Sequence, residues 1–291
     1  METTSVDRNR KSEIRVSGPD SRPYVLGETE AEFRRLEMQS AFIRDLTEDV
    51  LKRAGLKPGM RVLDIGCGVG DVATLAGELV GPTGSVLGVD RSAASVRTAE
   101  RRVAQTRQHA RIRFAVADLD SFVPDETFDA VVGRLVLMYL PDPAATLRRL
   151  AGHLRPGGIL VFQELSMPSI RSVPDTPQFL RCKSWIMETF ERTGFETDMG
   201  GKLFATFLTA GLPGPEMISA GRAEGGHRSL VYAYMAATMQ SLLSAMERAG
   251  VTTADEVGID DLAERLRDEA VARKACIILP PFIGAWTNKP A

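Results

Sequence analysis

The spacing of hydrophobic residues changes along this chain of 291 residues. Between residues 30 and 54 apolar side chains recur at the helical period, which predicts one amphipathic helix that ends before Gly55. From residue 60 to 166, short and nearly continuous apolar runs alternate with helical stretches. The runs cover residues 62–65, 85–89, 112–116, 128–132 and 159–162. Strands of this kind, separated by helices, are typical of a parallel sheet that is covered on both faces.

After residue 166 the pattern is helical again, in two segments that we expect to form a lid, residues 167–200 and 226–274. Residues 215–220 are compatible with a strand, and the runs at 276–279 and 282–286 predict the two further strands that finish the sheet. The pair Pro280–Pro281 fits an edge or a bulge. The predicted fold is a doubly wound, Rossmann-like α/β fold. Its sheet is mostly parallel and seven-stranded, with an antiparallel C-terminal strand and helical lid insertions.

The same pattern divides the chain into a tail and one domain. Residues 1–22 are polar and predict a flexible N-terminal tail. Residues 23–291 predict a single domain. Its parts are a helical cap at 23–59, a core at 60–166, the two lid segments and a C-terminal strand region at 275–287.

Composition narrows the class of protein. The 36 basic and 38 acidic residues leave a formal net charge of −2, without the basic excess expected of a nucleic-acid-binding protein. No apolar run approaches the roughly 20 residues that cross a bilayer, and the first residues lack the apolar stretch of a secretion signal. The three cysteines match no zinc spacing. We therefore expect a cytoplasmic protein without a metal, and without a nucleic acid or a membrane as its partner.

The first predicted strand ends in a glycine-rich turn, with Gly66, Gly68 and Gly70 at alternate positions. Glycine permits tight turns and lets a ligand approach the backbone where a Cβ would block it. A dinucleotide-binding turn of the form G-x-G-x-x-G would need glycine in place of Asp71. The turn therefore disfavours a nicotinamide dinucleotide, and a glycine turn of purely structural meaning stays the alternative.

Acidic residues follow at the ends of the next two strands. Asp90 ends the second strand, 20 residues after Gly70, where a carboxylate can accept hydrogen bonds from both ribose hydroxyls. Asp118 ends the third, where an acceptor can take the exocyclic amine of an adenine, with Arg91 and Leu119 beside the ring faces. Each aspartate alone is more often a turn or cap residue. Together they predict a nucleoside site, because ligands of doubly wound folds bind at the carboxyl ends of the strands.

These motifs resemble those of class I S-adenosylmethionine-dependent methyltransferases over residues 60–165. The small-molecule branch is the most similar, which contains the ubiquinone/menaquinone C-methyltransferases and many natural-product O- and N-methyltransferases. The resemblance implies S-adenosylmethionine as cofactor and S-adenosylhomocysteine as product. It also implies that Asp64 organises the methionine ammonium, Asp90 the ribose and Asp118 the adenine. The further cofactor-binding residues that it implies are Tyr24, Gln39, Gly66, Gly68, Gly133 and Arg134.

Three polar residues are candidates for catalysis. Methyl transfer from a sulfonium is an in-line displacement, in which alignment supplies much of the rate and a base is needed only for a protonated acceptor. Tyr139 follows the fourth strand, and packing at a loop edge is its alternative role. Glu164 ends the fifth strand beside Gln163, and one of the two should face the pocket. His227 lies in a flexible turn at 224–228, where a merely exposed histidine is the alternative.

The predicted function is transfer of a methyl group from S-adenosylmethionine to an O, N or C acceptor on a small organic molecule, such as a secondary or quinone-like metabolite. One alternative uses the same cofactor for another outcome, such as cyclisation. A second is a non-catalytic binding module, which the intact glycines and aspartates disfavour. The identity of the acceptor stays open, as does the choice between a monomer and a homodimer.

Overall fold

The computed structural model describes residues 30–106, 110–119 and 121–290. The predicted tail at 1–22 and Tyr24 lie outside the described residues. Within them, the chain folds into a seven-stranded sheet with helices on both faces and a three-stranded sheet beside it. The strands are β1 (Arg61–Ile65), β2 (Ser85–Asp90), β3 (Arg111–Val116), β4 (Phe128–Arg134), β5 (Leu154–Leu165), β6 (Arg171–Val173), β7 (Glu216–Ala220), β8 (Ala223–Gly225), β9 (Cys276–Ile278) and β10 (Phe282–Asn288).

The larger sheet confirms the fold predicted from the sequence. Its strand order is β3-β2-β1-β4-β5-β10-β7. The strands β1 to β5 are parallel to their neighbours in this group, and β10 is antiparallel to both β5 and β7. The order reverses on either side of β1, which is where ligands of doubly wound folds bind, at the carboxyl ends of the strands.

The apolar runs form strands because both faces of the sheet are covered. In β1, Val62 enters one apolar core and Leu63 enters the core on the opposite face. In β4, Val131 and Val132 divide between the two cores in the same way. Successive side chains of a strand point to opposite faces, so a strand that is buried on both faces is apolar at nearly every position.

Helices cover the two faces unequally. The helices are α1 (Glu30–Arg53), α2 (Asp71–Val80), α3 (Ala93–Ala104), α4 (Pro143–Gly152), α5 (Pro177–Thr193), α6 (Met199–Thr209), α7 (Val231–Arg248), α8 (Ala254–Val257) and α9 (Leu262–Ala272). The helices α1 and α2 pack on one face of the larger sheet. The helices α4 and α6 pack on the other, and α5, α7 and α9 extend that core.

No helix in the described ranges is long and apolar enough to cross a membrane.

The smaller sheet differs from the expectations at three places. The strand β9 lies between β6 and β8 and is antiparallel to both. The expectation that residues 276–279 extend the larger sheet was therefore wrong, because Pro280 and Pro281, which cannot continue a ladder, separate β9 from β10. Residues 224–225, which we expected in a flexible turn, belong to β8. The predicted lid segment at 167–200 contains the strand β6 as well as α5.

Candidate functional site

The turn between β1 and α2 requires glycine. Gly66, Gly68 and Gly70 have φ angles of +60°, +51° and +84°, a region that residues with a Cβ rarely adopt. A Cβ added at Gly66 would lie 2.6 Å from Cγ2 of Val136, so the turn packs closely on the segment that follows β4. A Cβ added at Gly68 would meet nothing within 4 Å. The backbone at Gly68 therefore borders open space.

Asp90, at the end of β2, is bonded to the same turn. Its Oδ2 accepts a hydrogen bond of 2.9 Å from the Gly68 N–H. Its Oδ1 accepts one of 2.8 Å from the Ser92 N–H, at the start of α3. Asp90 thus holds the glycine turn in place, in addition to its predicted contact with a ribose.

Asp64 is a buried carboxylate in β1, with 1% of its surface exposed. The backbone N–H of Ala73, in the first turn of α2, donates a hydrogen bond to it. Its Oδ2 has no hydrogen-bond partner among the described residues. Burial is the main reason why the pKa of this carboxyl is raised from 3.8 to about 8. The positive charge of Arg134 lowers the pKa, and the negative charge of Asp90 raises it. A buried acceptor without a donor is unfavourable, and a cationic ligand would relieve that cost.

Arg134, at the end of β4, brings a positive charge beside Asp64. Its Nη2 lies 3.8 Å from Oδ2 of Asp71, which is longer than a hydrogen bond. The other oxygen of Asp71 accepts a hydrogen bond of 2.7 Å from Arg102. The Nη1 of Arg134 donates to Oγ1 of Thr47 in α1 at 3.1 Å. Asp71, which stands where a dinucleotide-binding turn has glycine, therefore pairs with Arg102 and lies near Arg134 at the first turn of α2.

The other predicted cofactor-binding residues lie at the ends of β2, β3 and β4. Asp118 and Leu119 follow β3 and are half-buried, and Leu119 packs against the apolar core. Arg91 is exposed directly after β2. Gly133 lies inside β4, where an added Cβ would come within 2.7 Å of the ring of Phe162. The fold thus brings these residues to one end of the sheet, and their contacts with a ligand stay predictions.

A family model for a methyltransferase domain matches residues 56–202, half of the chain. The matched segment contains the glycine turn and the strands β1 to β5. The chain belongs to this methyltransferase family. This confirms the family predicted from the glycine and aspartate motifs.

Two curated relatives of this chain are bacterial enzymes. The trans-aconitate 2-methyltransferase of Azoarcus sp. is 36% identical over 132 residues, which cover 44% of this chain and 49% of that protein. The demethylmenaquinone methyltransferase of Halalkalibacterium halodurans is 36% identical over 124 residues, which cover 42% of this chain and 50% of that protein. The chain thus spans about half the length of the curated relatives it matches.

A solved structure shows the same fold. It is the phosphoethanolamine N-methyltransferase 2 of Haemonchus contortus in complex with phosphomonomethylethanolamine and S-adenosylhomocysteine. The TM-score is 0.53 at 18% sequence identity, and the match covers 85% of this chain and 53% of that chain. At this identity the likeness concerns the fold.

Glu164 supports the segment after β4 on which the glycine turn packs. Its Oε1 accepts hydrogen bonds of 2.9 Å from the Val136 N–H and 2.8 Å from the Leu137 N–H. Its Oε2 is buried and has no partner among the described residues. Burial raises the pKa of the carboxyl from 4.5 to about 7, against the lowering effect of the backbone N–H groups. Because Val136 packs on Gly66, the carboxylate positions the segment on which the turn rests.

Gln163 and Glu164 point to opposite faces of β5, as expected for neighbours in a strand. Gln163 faces α1, where its Oε1 accepts a hydrogen bond of 2.7 Å from Thr47 Oγ1. It is aligned with Arg134 of β4 in the strand register. Gln163 is thus the member of the pair that shares a face with the predicted methionine-binding residues.

Helix α7 reaches the same region through the aromatic residue Tyr234. Gln39 of α1 donates a hydrogen bond of 2.9 Å from Nε2 to the Tyr234 hydroxyl. The ring of Tyr234 stacks on Phe42 with centroids 5.9 Å apart, and Tyr234 also interacts electrostatically with Arg134. Thr47 escaped sequence analysis because its partner Gln163 is 116 residues away in the chain.

The structure separates the two remaining catalytic candidates. Tyr139 is half-buried at the end of a 3₁₀ turn, and its ring packs edge-on against Phe195 with centroids 5.1 Å apart. Phe195 belongs to the predicted lid segment at 167–200. His227 is exposed in the turn between β8 and α7, and the described contacts do not bring it to the strand ends. Catalytic roles for Tyr139, Glu164 and His227 stay predictions.

Proposed function

We propose that this chain binds S-adenosylmethionine at the carboxyl ends of β1 to β4 and transfers its methyl group to an O, N or C atom of a small organic acceptor. The observation that carries the proposal is the buried carboxylate of Asp64 beside the glycine turn, whose Oδ2 has no partner in the described chain. Membership of the methyltransferase family supports the reaction. Relatives named for trans-aconitate and demethylmenaquinone support a small acceptor.

The residues present fit this cofactor. Asp64 supplies a buried acceptor for the ammonium of the methionine part, and the space beside Gly68 lets the cofactor approach the backbone. Asp90 and Asp118 supply carboxylates for the ribose hydroxyls and the adenine amine. When bound, the cofactor supplies a methyl group on a positively charged sulfur, which leaves as a neutral thioether.

The tasks of the chain are to align the acceptor and to exclude water. We infer that α1 and α7 close one side of the acceptor site, through the stacked rings of Phe42 and Tyr234. Tyr139 and Phe195 provide aromatic surface after β4. Aromatic walls of this kind favour a flat, largely apolar acceptor, such as a quinone-like metabolite.

The test is a methyl-transfer assay with methyl-labelled S-adenosylmethionine and a panel of acceptors that includes trans-aconitate and a naphthoquinol. Two alanine variants make it specific. Gly68 and Gly157 both have positive φ, and a Cβ added at either would meet nothing within 4 Å, but only Gly68 lies at the proposed site. We expect Gly157→Ala to keep the turnover of the parent and Gly68→Ala to lose at least about tenfold.

Two outcomes would contradict this function. Equal turnover of the Gly68→Ala and Gly157→Ala variants would show that the cofactor does not lie against the glycine turn. Binding of the cofactor in calorimetry without labelled product from any acceptor would favour the non-catalytic module instead.

A further inference from the structure

We propose that Arg149 of α4 is a positioning residue that sets how well the site distinguishes adenine from a purine without the exocyclic amine. It acts through the segment after β3, which carries Asp118. The inference rests on the proposed function, in which Asp118 accepts a hydrogen bond from that amine. Arg149 itself does not touch the cofactor.

The carboxylates at the ends of the first two strands are each tied to the helix that follows. The Ala73 N–H, in the first turn of α2, donates a hydrogen bond to Asp64. The Ser92 N–H, at the residue before α3, donates to Oδ1 of Asp90 at 2.8 Å. Because both helices pack on the sheet, each of these carboxylates is bonded to a rigid element.

Asp118 lies in a segment without such a helix. The described residues between β3 and β4 form turns and irregular chain, and none of them is helical. The Ala117 N–H donates to the Asp90 carbonyl at 2.9 Å, and the Phe122 N–H donates to the Asp118 carbonyl at 2.8 Å. These two bonds tie the segment to the end of β2 and to itself.

Arg149 connects this segment to a helix. Its Nη2 donates a hydrogen bond to the Leu119 carbonyl, one residue after Asp118. A hydrogen bond from a charged donor is roughly twice as strong as one between neutral groups. Leu119 also packs against the apolar core to which α4 contributes Leu147 and Leu150. Arg149 thus fixes the segment of Asp118 on α4, as α2 and α3 fix the other two carboxylates.

The rigidity of this segment determines how much the adenine amine adds to binding. An acceptor that is held in place gains the full hydrogen bond, whereas an acceptor on a loose segment must first be ordered, at a cost in entropy. The rest of the cofactor contacts other strands in the proposed site. Loss of the Arg149 bond should therefore lower the preference for adenine and leave the affinity for the rest of the ligand unchanged.

The experiment compares S-adenosylhomocysteine with its purine analogue, in which hydrogen replaces the exocyclic amine, in titration calorimetry. We expect the parent to prefer S-adenosylhomocysteine about tenfold or more, because the amine bonds to a carboxylate. In Arg149→Met the preference should fall to about threefold or less, with the affinity for the purine analogue within about twofold of the parent. Arg149→Lys keeps a cationic donor on α4 and should retain a preference of at least about fivefold.

The matched control is Arg148→Met, at the neighbouring position of α4. Arg148 also donates to backbone carbonyls, at 3.3 Å to Ala210 and at 2.7 Å to Thr209, but these lie at the end of α6. Its replacement removes a link of the same kind between two elements, away from the segment after β3. The control variant should keep the preference of the parent.

Hydrogen exchange of the proteins without ligand gives a second readout. The amides of Ser121 and Phe122 donate to the Asp118 carbonyl. They should exchange faster in Arg149→Met than in the parent or in Arg148→Met, because exchange reports local opening of the segment.

Three results would overturn the inference. They are a parent-like preference in Arg149→Met, an equal loss of preference in Arg148→Met, and unchanged exchange at Ser121 and Phe122. If the parent binds both ligands equally, the assignment of Asp118 to the adenine fails and the inference fails with it. Binding of neither ligand by the parent would refute the proposed function itself, which is a different result from binding without an effect of Arg149.

Discussion

Replacement of Asp64 by asparagine should make the protein more stable and its cofactor binding weaker. The carboxyl has a pKa of about 8 in the folded chain against 3.8 ordinarily, because it is buried. Folding therefore takes up a proton between these values, and the free energy of unfolding falls as the pH rises through this window. At about 1.36 kcal/mol per pKa unit, the penalty above pH 8 has an upper bound of roughly 5–6 kcal/mol. The asparagine amide leaves an unpaired buried donor, which costs about 1–3 kcal/mol. The net gain in the free energy of unfolding is therefore at most about 2–5 kcal/mol.

Urea unfolding of the parent and of Asp64→Asn at about pH 5 and pH 8 measures this effect. The gain in the free energy of unfolding should be largest at the higher pH, so the stability of the variant should depend less on pH than that of the parent. Its affinity for S-adenosylhomocysteine should fall at least tenfold. Asp49→Asn is the matched control, because Asp49 is about half-exposed on α1 and pairs with Arg53. It should change neither quantity by more than a few tenths of a kcal/mol. An Asp64→Asn variant that is no more stable than the parent at pH 8, with an unchanged pH slope, would refute the reasoning.

Further variants test the other parts of the site. Asp90→Ala should weaken the binding of S-adenosylhomocysteine by about 2–3 kcal/mol, and Asp118→Ala should weaken it by less, because an adenine amine makes one hydrogen bond where a ribose makes two. Parent-like affinities of both variants in calorimetry would contradict both assignments. In the parent, the raised pKa of the buried Glu164 carboxyl makes the free energy of unfolding fall as the pH rises from about 4.5 to 7, and Glu164→Gln should remove this fall. An unchanged slope would show that the pKa of Glu164 is not raised by folding. Gly66→Ala should lower the free energy of unfolding by about 2–3 kcal/mol, because the φ of Gly66 is +60° and the new Cβ would clash with Val136. A parent-like Tm would contradict this and show that the turn can relax.

The larger sheet could be predicted from the sequence because its strands are buried on both faces. Each run of apolar residues from Val62 to Phe162 became a strand, and the antiparallel C-terminal strand followed from residues 282–286. The glycine turn and the carboxylates at Asp64, Asp90 and Asp118 were predictable for a related reason. They lie at or next to the carboxyl ends of strands whose order in a doubly wound sheet is constrained.

The smaller sheet was not predictable from local pattern. The strands β6, β8 and β9 are three residues each, too short to show alternation, and they are paired across more than 50 residues of chain. The choice between Gln163 and Glu164 was undecided for a different reason. The strand period separates their faces, but only the packed structure shows which face α1 covers and therefore which side chain meets Thr47.

The most direct test of the central claim is titration calorimetry of the parent chain with S-adenosylhomocysteine and, in comparison, with a nicotinamide dinucleotide. We predict binding of S-adenosylhomocysteine with a micromolar Kd, about −8 kcal/mol, and no binding of the dinucleotide, because Asp71 stands where its turn requires glycine. No heat with S-adenosylhomocysteine, together with clear binding of the dinucleotide, would contradict the claim.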